Sequence, residues 1–133
     1  MLKKILVVDD DVSFRSKLTS VIEGWGYEVI QARNGTVAYE IFSDKPEAFF
    51  AVVSDMRMPG GSGPVFCQAM DRCSVSVPTL MHSTESGYIG FGVDYMDISE
   101  LKKYFDFVKV THLKPKLNND FGYVKKFLDS IAA

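Results

Sequence analysis

Ile5-Leu6-Val7-Val8-Asp9-Asp10 and Ala51-Val52-Val53-Ser54-Asp55 are the two stretches that decide the fold of this chain. Each is a short, continuous, β-prone run that ends in carboxylate, the pattern of a strand covered on both faces of a parallel sheet. Aspartates placed this way gather at one end of that sheet. Two carboxylates about 4 Å apart repel by roughly 4 kcal/mol at an effective dielectric near 20, so three of them together call for a cation. The expectation is a divalent-metal site suited to phosphoryl chemistry.

Outward from these runs, strand and helix patterns alternate. Phe14, Leu18, Val21, Ile22 and Trp25 recur at helical spacing after the aspartates, and Gly24 and Gly26 close that helix. Asp10 or Asp11 is placed to cap its start. Tyr27 to Ala32 reads as a second strand, and Asn34-Gly35 opens a second helix with Val37, Ala38, Ile41 and Phe42 on one face, ended by Pro46. Phe49 to Ser54 is the third strand. Pro59-Gly60-Gly61-Ser62-Gly63-Pro64 is a loop whose Pro64 suits the first turn of a helix through Arg72. Pro78 precedes a fourth strand, Thr79 to His82.

Gly87, Gly90 and Gly92 argue for a loop, followed by a helix from Asp97 that carries Ile98, Leu101, Tyr104 and Phe105. A last strand falls within Phe107 to Leu113, and Phe121, Val124, Phe127, Leu128 and Ile131 mark the closing helix. Right-handed crossovers turn this order into an α/β fold, (βα)5, with a five-stranded parallel sheet doubly wound by helices. Ligands bind beyond the carboxyl ends of such strands. Asp9, Asp10, Asp55, Ser83 and either Lys114 or Lys109 fall on that edge.

A chain of 133 residues with 47% apolar side chains is long enough for one core and too short for two, so residues 1–133 are read as a single domain. The formal net charge of -2, with its cations scattered, gives no footprint for nucleic acid and no polybasic membrane anchor. Met1-Leu2-Lys3-Lys4 precedes an apolar run of only four residues that ends in aspartates, unlike a signal peptide or a membrane span, and a cytoplasmic location is expected. Cys67 and Cys73 lie six apart on one expected helix, a rise of about 9 Å that exceeds the reach of a disulfide, so both are read as reduced. No histidine joins them at zinc-finger spacing.

These residues resemble the receiver domain of bacterial two-component response regulators, a flavodoxin-like fold. The resemblance rests on Leu6-Val7-Val8-Asp9-Asp10, similar to the family's acidic first-strand motif, and on Ser54-Asp55-Met56-Arg57-Met58-Pro59 with Gly63 eight residues after Asp55, similar to its phosphorylation-site motif. It implies that Asp55 accepts a phosphoryl group from a sensor histidine kinase or a phosphotransfer protein. It also implies that Asp10 and Asp55 ligate Mg2+ directly, that Asp9 acts through a bound water and that Arg57 contributes its main-chain carbonyl. Mg2+ is a hard ion that suits carboxylates, a carbonyl and waters. Such a protein is no turnover enzyme for an external substrate; it catalyses its own phosphoryl transfer and dephosphorylation.

Pro78-Thr79-Leu80-Met81-His82-Ser83 resembles the family's switch strand, which implies that Ser83 bonds a phosphoryl oxygen, or Thr84 if the register slips by one. Lys114-Pro115 resembles the family's Lys-Pro pair, in which the ammonium meets the phosphoryl oxygens and a cis bond often precedes the proline. Phe107-Val108-Lys109 offers a competing strand end. Three features depart from the family pattern: Thr84 stands where a very small residue is usual, Thr111 where an aromatic is usual, and about nine extra residues separate Ser83 from Lys114. The output face around the fourth helix and fifth strand is therefore expected to be atypical in the way it controls a downstream partner, with dimer formation on phosphorylation a further expectation. No output domain is expected within these residues.

Two other classes fit part of the pattern. A pseudo-receiver would keep the fold as an interaction module without switching, which Thr84, the missing aromatic and the irregular segment after Glu85 favour and the intact acidic motif opposes. A phosphatase of the haloacid type also places a nucleophilic aspartate after a parallel strand; Asp9 and Asp11 match its spacing, but 133 residues leave no room for its cap domain.

Overall fold

In the computed structural model, residues 2–55, 77–83, 110–115 and 120–132 are described. Five strands, β1 (Lys4–Val8), β2 (Glu28–Ala32), β3 (Phe49–Asp55), β4 (Thr79–Ser83) and β5 (Val110–Pro115), pair in parallel in the order β2-β1-β3-β4-β5. This is the flavodoxin-like doubly wound order, which reverses direction between β1 and β3. The (βα)5 expectation therefore holds for the strands. The expected helices over Pro64 to Arg72 and from Asp97, the glycine segment Gly87 to Gly92, and Cys67 and Cys73 lie outside the described residues.

Three helices are described: α1 (Val12–Gly24), α2 (Gly35–Asp44) and, closing the chain, α3 (Gly122–Ala132), with a 3-10 turn at Pro46–Ala48. The side-chain oxygen of Asp11 accepts from the Phe14 amide at 3.1 Å, and that of Asn34 accepts from the Val37 amide at 2.9 Å. Both are N-caps, and each satisfies an amide that the helix itself cannot. Asp11, of the two candidates, is thus the cap of α1. Past the other end of α1, Gly26 holds φ 96, a left-handed conformation that lets the chain turn back into β2.

Residues alternate across the sheet with period two, so each strand feeds two layers. On one face Ile5, Val7, Ala51, Val53 and Leu80 form a continuous buried cluster with Phe14, Leu18 and Ile22 of α1 and Val124, Phe127 and Leu128 of α3. Leu6, Val8 and Val52 take the alternate positions and are buried as well, while α2 packs over β1 and β2 with Ala38 and Phe42 buried. Being covered on both sides is why these strands read as unbroken apolar runs and not as alternating ones. Each fully buried large side chain contributes about 1.5–3 kcal/mol of transfer free energy. The sheet is therefore a rigid platform, and its carboxyl edge inherits that rigidity.

Candidate functional site

The register of β1 on β3 places Val8 beside Ser54, so one further step along each strand brings Asp9 next to Asp55. Neighbouring parallel strands are about 4.8 Å apart, which makes this closeness a consequence of pairing and not of side-chain choice. Asp9 is fully buried, Asp55 is 7% exposed, and Asp10 is exposed at the lip. One carboxylate oxygen from each of the three lies within 4.8 Å of the others.

That donor set fits a small hard cation. Mg2+ holds oxygens at 2.0–2.1 Å in octahedral geometry, so ligands on opposite sides of the ion stand about 4.2 Å apart. Three oxygens within 4.8 Å reach one ion with a small side-chain adjustment, or with a water between the ion and one of them. The burial of Asp9 and Asp55 matters here, because surface carboxylates have solvent to screen them and these two have little.

Local bonds hold the acidic lip in place. The Asp11 amide donates to Asp9 Oδ1 at 2.9 Å, and the Asp9 amide donates to the Ala32 carbonyl at 3.0 Å. Arg15, one turn into α1, donates from Nη1 to the Asp9 carbonyl at 2.7 Å and from Nε to Gln31 Oε1 at 3.0 Å. A guanidinium thus ties the end of β1 to β2 and to the helix that follows it. The Ser54 hydroxyl, buried on the other face, donates to the Asp55 carbonyl at 3.0 Å.

Across β4, the register aligns Asp55 with His82, and His82 with Lys114 on β5. Lys114 therefore sits two strands from Asp55 in the same row of the sheet, and Ser83 and Pro115 form the next row. The β5 strand runs to Pro115, two residues past the expected Leu113. Among the described residues no peptide bond is cis. Arg57, Thr84 and Lys109 lie outside the described residues.

The sequence reading placed His82 only within the fourth strand, and here the structure adds most. His82 is buried, with Nδ1 2.9 Å from the Tyr123 hydroxyl on α3 and Nε2 3.8 Å from Asp9 Oδ2. Phe14 presents its ring edge-on at 5.5 Å, and the Tyr123 ring lies at 5.9 Å. The available signal was a histidine within an apolar strand, two residues after Leu80 and so on the same face, where burial of a polar ring demands partners.

A five-stranded parallel sheet in the order β2-β1-β3-β4-β5, with clustered acids at its switch-point edge, defines the class of flavodoxin-like doubly wound domains. Comparison with known proteins narrows this. Residues 5–107 match the family model of the response regulator receiver domain, and the chain belongs to that family, the receivers of two-component systems. It is 35% identical over 103 residues to the uncharacterized transcriptional regulatory protein YrkP of Bacillus subtilis, covering 72% of this chain and 43% of that protein. To the transcriptional regulatory protein ZraR of Klebsiella oxytoca it is 37% identical over 82 residues, covering 62% of this chain and 18% of the relative. The chain thus spans less than half the length of either relative.

Among solved structures, response regulator protein TrrA of Thermotoga maritima in complex with Mg(2+)-BeF is similar at a TM-score of 0.78 and 25% identity, covering 98% of this chain and 99% of that one. A receiver domain protein of Clostridium thermocellum has a TM-score of 0.79 at 19% identity, covering 98% of this chain and 94% of that one, a likeness of fold. No helix among the described residues is long and apolar enough to cross a membrane.

Proposed function

We propose that residues 1–133 act as a phosphoacceptor unit in which Asp55 receives a phosphoryl group from a sensor histidine kinase or a phosphotransfer protein. The observation that carries this reading is the convergence of Asp9, Asp10 and Asp55 at the carboxyl edge, two of the three buried. An Asp55 carboxylate oxygen attacks phosphorus, the P–N bond to the donor histidine breaks, and the imidazole leaves with its electron pair and takes up a proton from solvent. Mg2+, when bound, neutralises charge on the phosphoryl oxygens and on the attacking carboxylate.

Asp9, Asp10 and Asp55 are the residues that would hold the ion, with the main-chain carbonyl of Arg57 as a fourth donor. Lys114, in the Asp55 row, supplies positive charge toward the phosphoryl group, and Ser83, or Thr84 beyond it, supplies a hydroxyl. Burial of Asp9 and Asp55 limits water at the acceptor, and the Arg15 bond to the Asp9 carbonyl keeps the acidic lip oriented for attack. The consequence passes to a downstream partner through the surface around β5, without direct contact with nucleic acid by these residues.

Incubation with acetyl phosphate and Mg2+, followed by intact-mass measurement, is expected to add one phosphoryl group to wild type and none to Asp55→Asn. A wild type that takes up no phosphoryl group while still binding the ion would instead make this unit an interaction module.

A further inference from the structure

Asp9 and the surface of α3 sit on opposite sides of a buried imidazole. His82 lies between them on β4, in the same sheet row as Asp55, with Nε2 3.8 Å from Asp9 Oδ2 and Nδ1 2.9 Å from the Tyr123 hydroxyl. The ring is 1% exposed, edge-packed by Phe14, so it cannot turn to solvent to satisfy either nitrogen. Tyr123 is only partly buried and lies in the first turn of α3, where its hydroxyl bond helps fix how that helix docks.

We propose that His82 is a positioning residue for the Asp9 carboxylate and that, through Tyr123, it couples occupancy of the acidic pocket by a divalent cation to the docking of α3. The inference rests on the reading of Asp9, Asp10 and Asp55 as the cation site. Its physical basis is the set of allowed bonds. A hydrogen on Nε2 would face the Asp9 carboxylate and leave Nδ1 to accept from the tyrosine hydroxyl, whereas a hydrogen on Nδ1 would be donated to that hydroxyl, so the side of the ring that Asp9 faces is tied to the Tyr123 bond.

When Asp9 is drawn toward a cation, the separation of 3.8 Å, beyond hydrogen-bond range, changes. The ring is held on its other side by Tyr123, so the adjustment is passed to the first turn of α3. The route differs from a side-chain swing on β5, where Thr111 offers no aromatic ring. Coupling of this kind is reciprocal: whatever cation binding does to the docking of α3, the docking of α3 does to cation affinity. Partners that orient a metal-binding carboxylate from behind commonly change affinity by about 10–100-fold when removed.

The test uses the whole chain and Mg2+ alone, with no phosphodonor. Wild type, His82→Leu, His82→Gln and Tyr123→Phe are titrated with Mg2+ and followed by amide NMR at Gly122 to Lys125 and at Asp10 and Asp11. In wild type, the α3 amides are expected to shift with the same midpoint as the acidic-lip amides. His82→Leu should weaken Mg2+ by about 10-fold, and His82→Gln, whose amide still presents a donor, should recover affinity to within about 3-fold. Tyr123→Phe should keep the lip response and lose most of the α3 response.

Affinity and α3 shifts that are unchanged in His82→Leu, or in His82→Gln and Tyr123→Phe should the leucine variant fail to fold, overturn the coupling and leave the cation site standing. Absence of Mg2+ binding in wild type overturns the cation-site reading itself, and the coupling with it. A loss of thermal stability with unchanged Mg2+ affinity and an unchanged α3 response would make His82 a packing residue only, which also overturns the proposal.

Discussion

Asp55→Asn should make the cation-free protein more stable and, by the same change, nearly indifferent to magnesium. Asp9 and Asp55 are buried with carboxylate oxygens within 4.8 Å of each other. Two unit charges at that distance repel by about 3.5 kcal/mol at an effective dielectric of 20. Each charge is spread over two oxygens and the site opens to solvent at the exposed Asp10, which leaves about 1–2 kcal/mol to be recovered by neutralising one member. With a melting entropy of about 2.1 cal/mol/K per residue, a chain of this length converts that into a Tm gain of about 4–7 °C.

Asparagine keeps the shape and can still hydrogen-bond, so little packing is lost. Magnesium at ten times its Kd stabilises wild type by about 1.4 kcal/mol through mass action, or about 5 °C, while the variant has lost a ligand and gains much less. Differential scanning calorimetry of both proteins, in EDTA and in Mg2+, gives the four melting points required. The variant is expected to melt above wild type in EDTA, with the gap closing in Mg2+. A variant that melts at or below wild type in EDTA and climbs equally with Mg2+ refutes the argument that these charges oppose each other across a cation site.

Asp11→Ala removes the N-cap bond to the Phe14 amide and should cost about 1 kcal/mol, read as a Tm loss of about 4 °C with the phosphoryl acceptor untouched. Phe42, fully buried on α2 and stacked at 5.8 Å on Phe49, is far from the acidic edge; Phe42→Ala should cost about 3–5 kcal/mol in urea unfolding, with Mg2+ affinity of the remaining folded protein unchanged.

The strands that form the platform were legible because each carries its own signal. Ile5 to Val8 and Ala51 to Ser54 are apolar without interruption, and that follows from burial on both faces. The last strand was harder to bound: Lys109, Thr111, His112 and Lys114 break its apolar pattern, and its limits at Val110 and Pro115 are set by pairing with β4. The three carboxylates were legible for a local reason, since each lies at a strand end or within two residues past it. The contact between His82 and Tyr123 was not. It joins a strand to a helix 41 positions later, and nothing near either residue specifies how α3 settles on the sheet.

Asp9 and Asp55 stand 46 positions apart in the chain and become neighbours only through the pairing of β1 with β3. Everything between them, a helix, an edge strand and another helix, must be threaded over the sheet before the pocket exists. A nascent polypeptide emerging from the ribosome would therefore carry its acidic motif for dozens of residues in a form that grips no ion, and loop closure across that crossover is part of the cost of making the site. Magnesium added during refolding should consequently slow the unfolding of finished molecules more than it hastens the collapse of new ones.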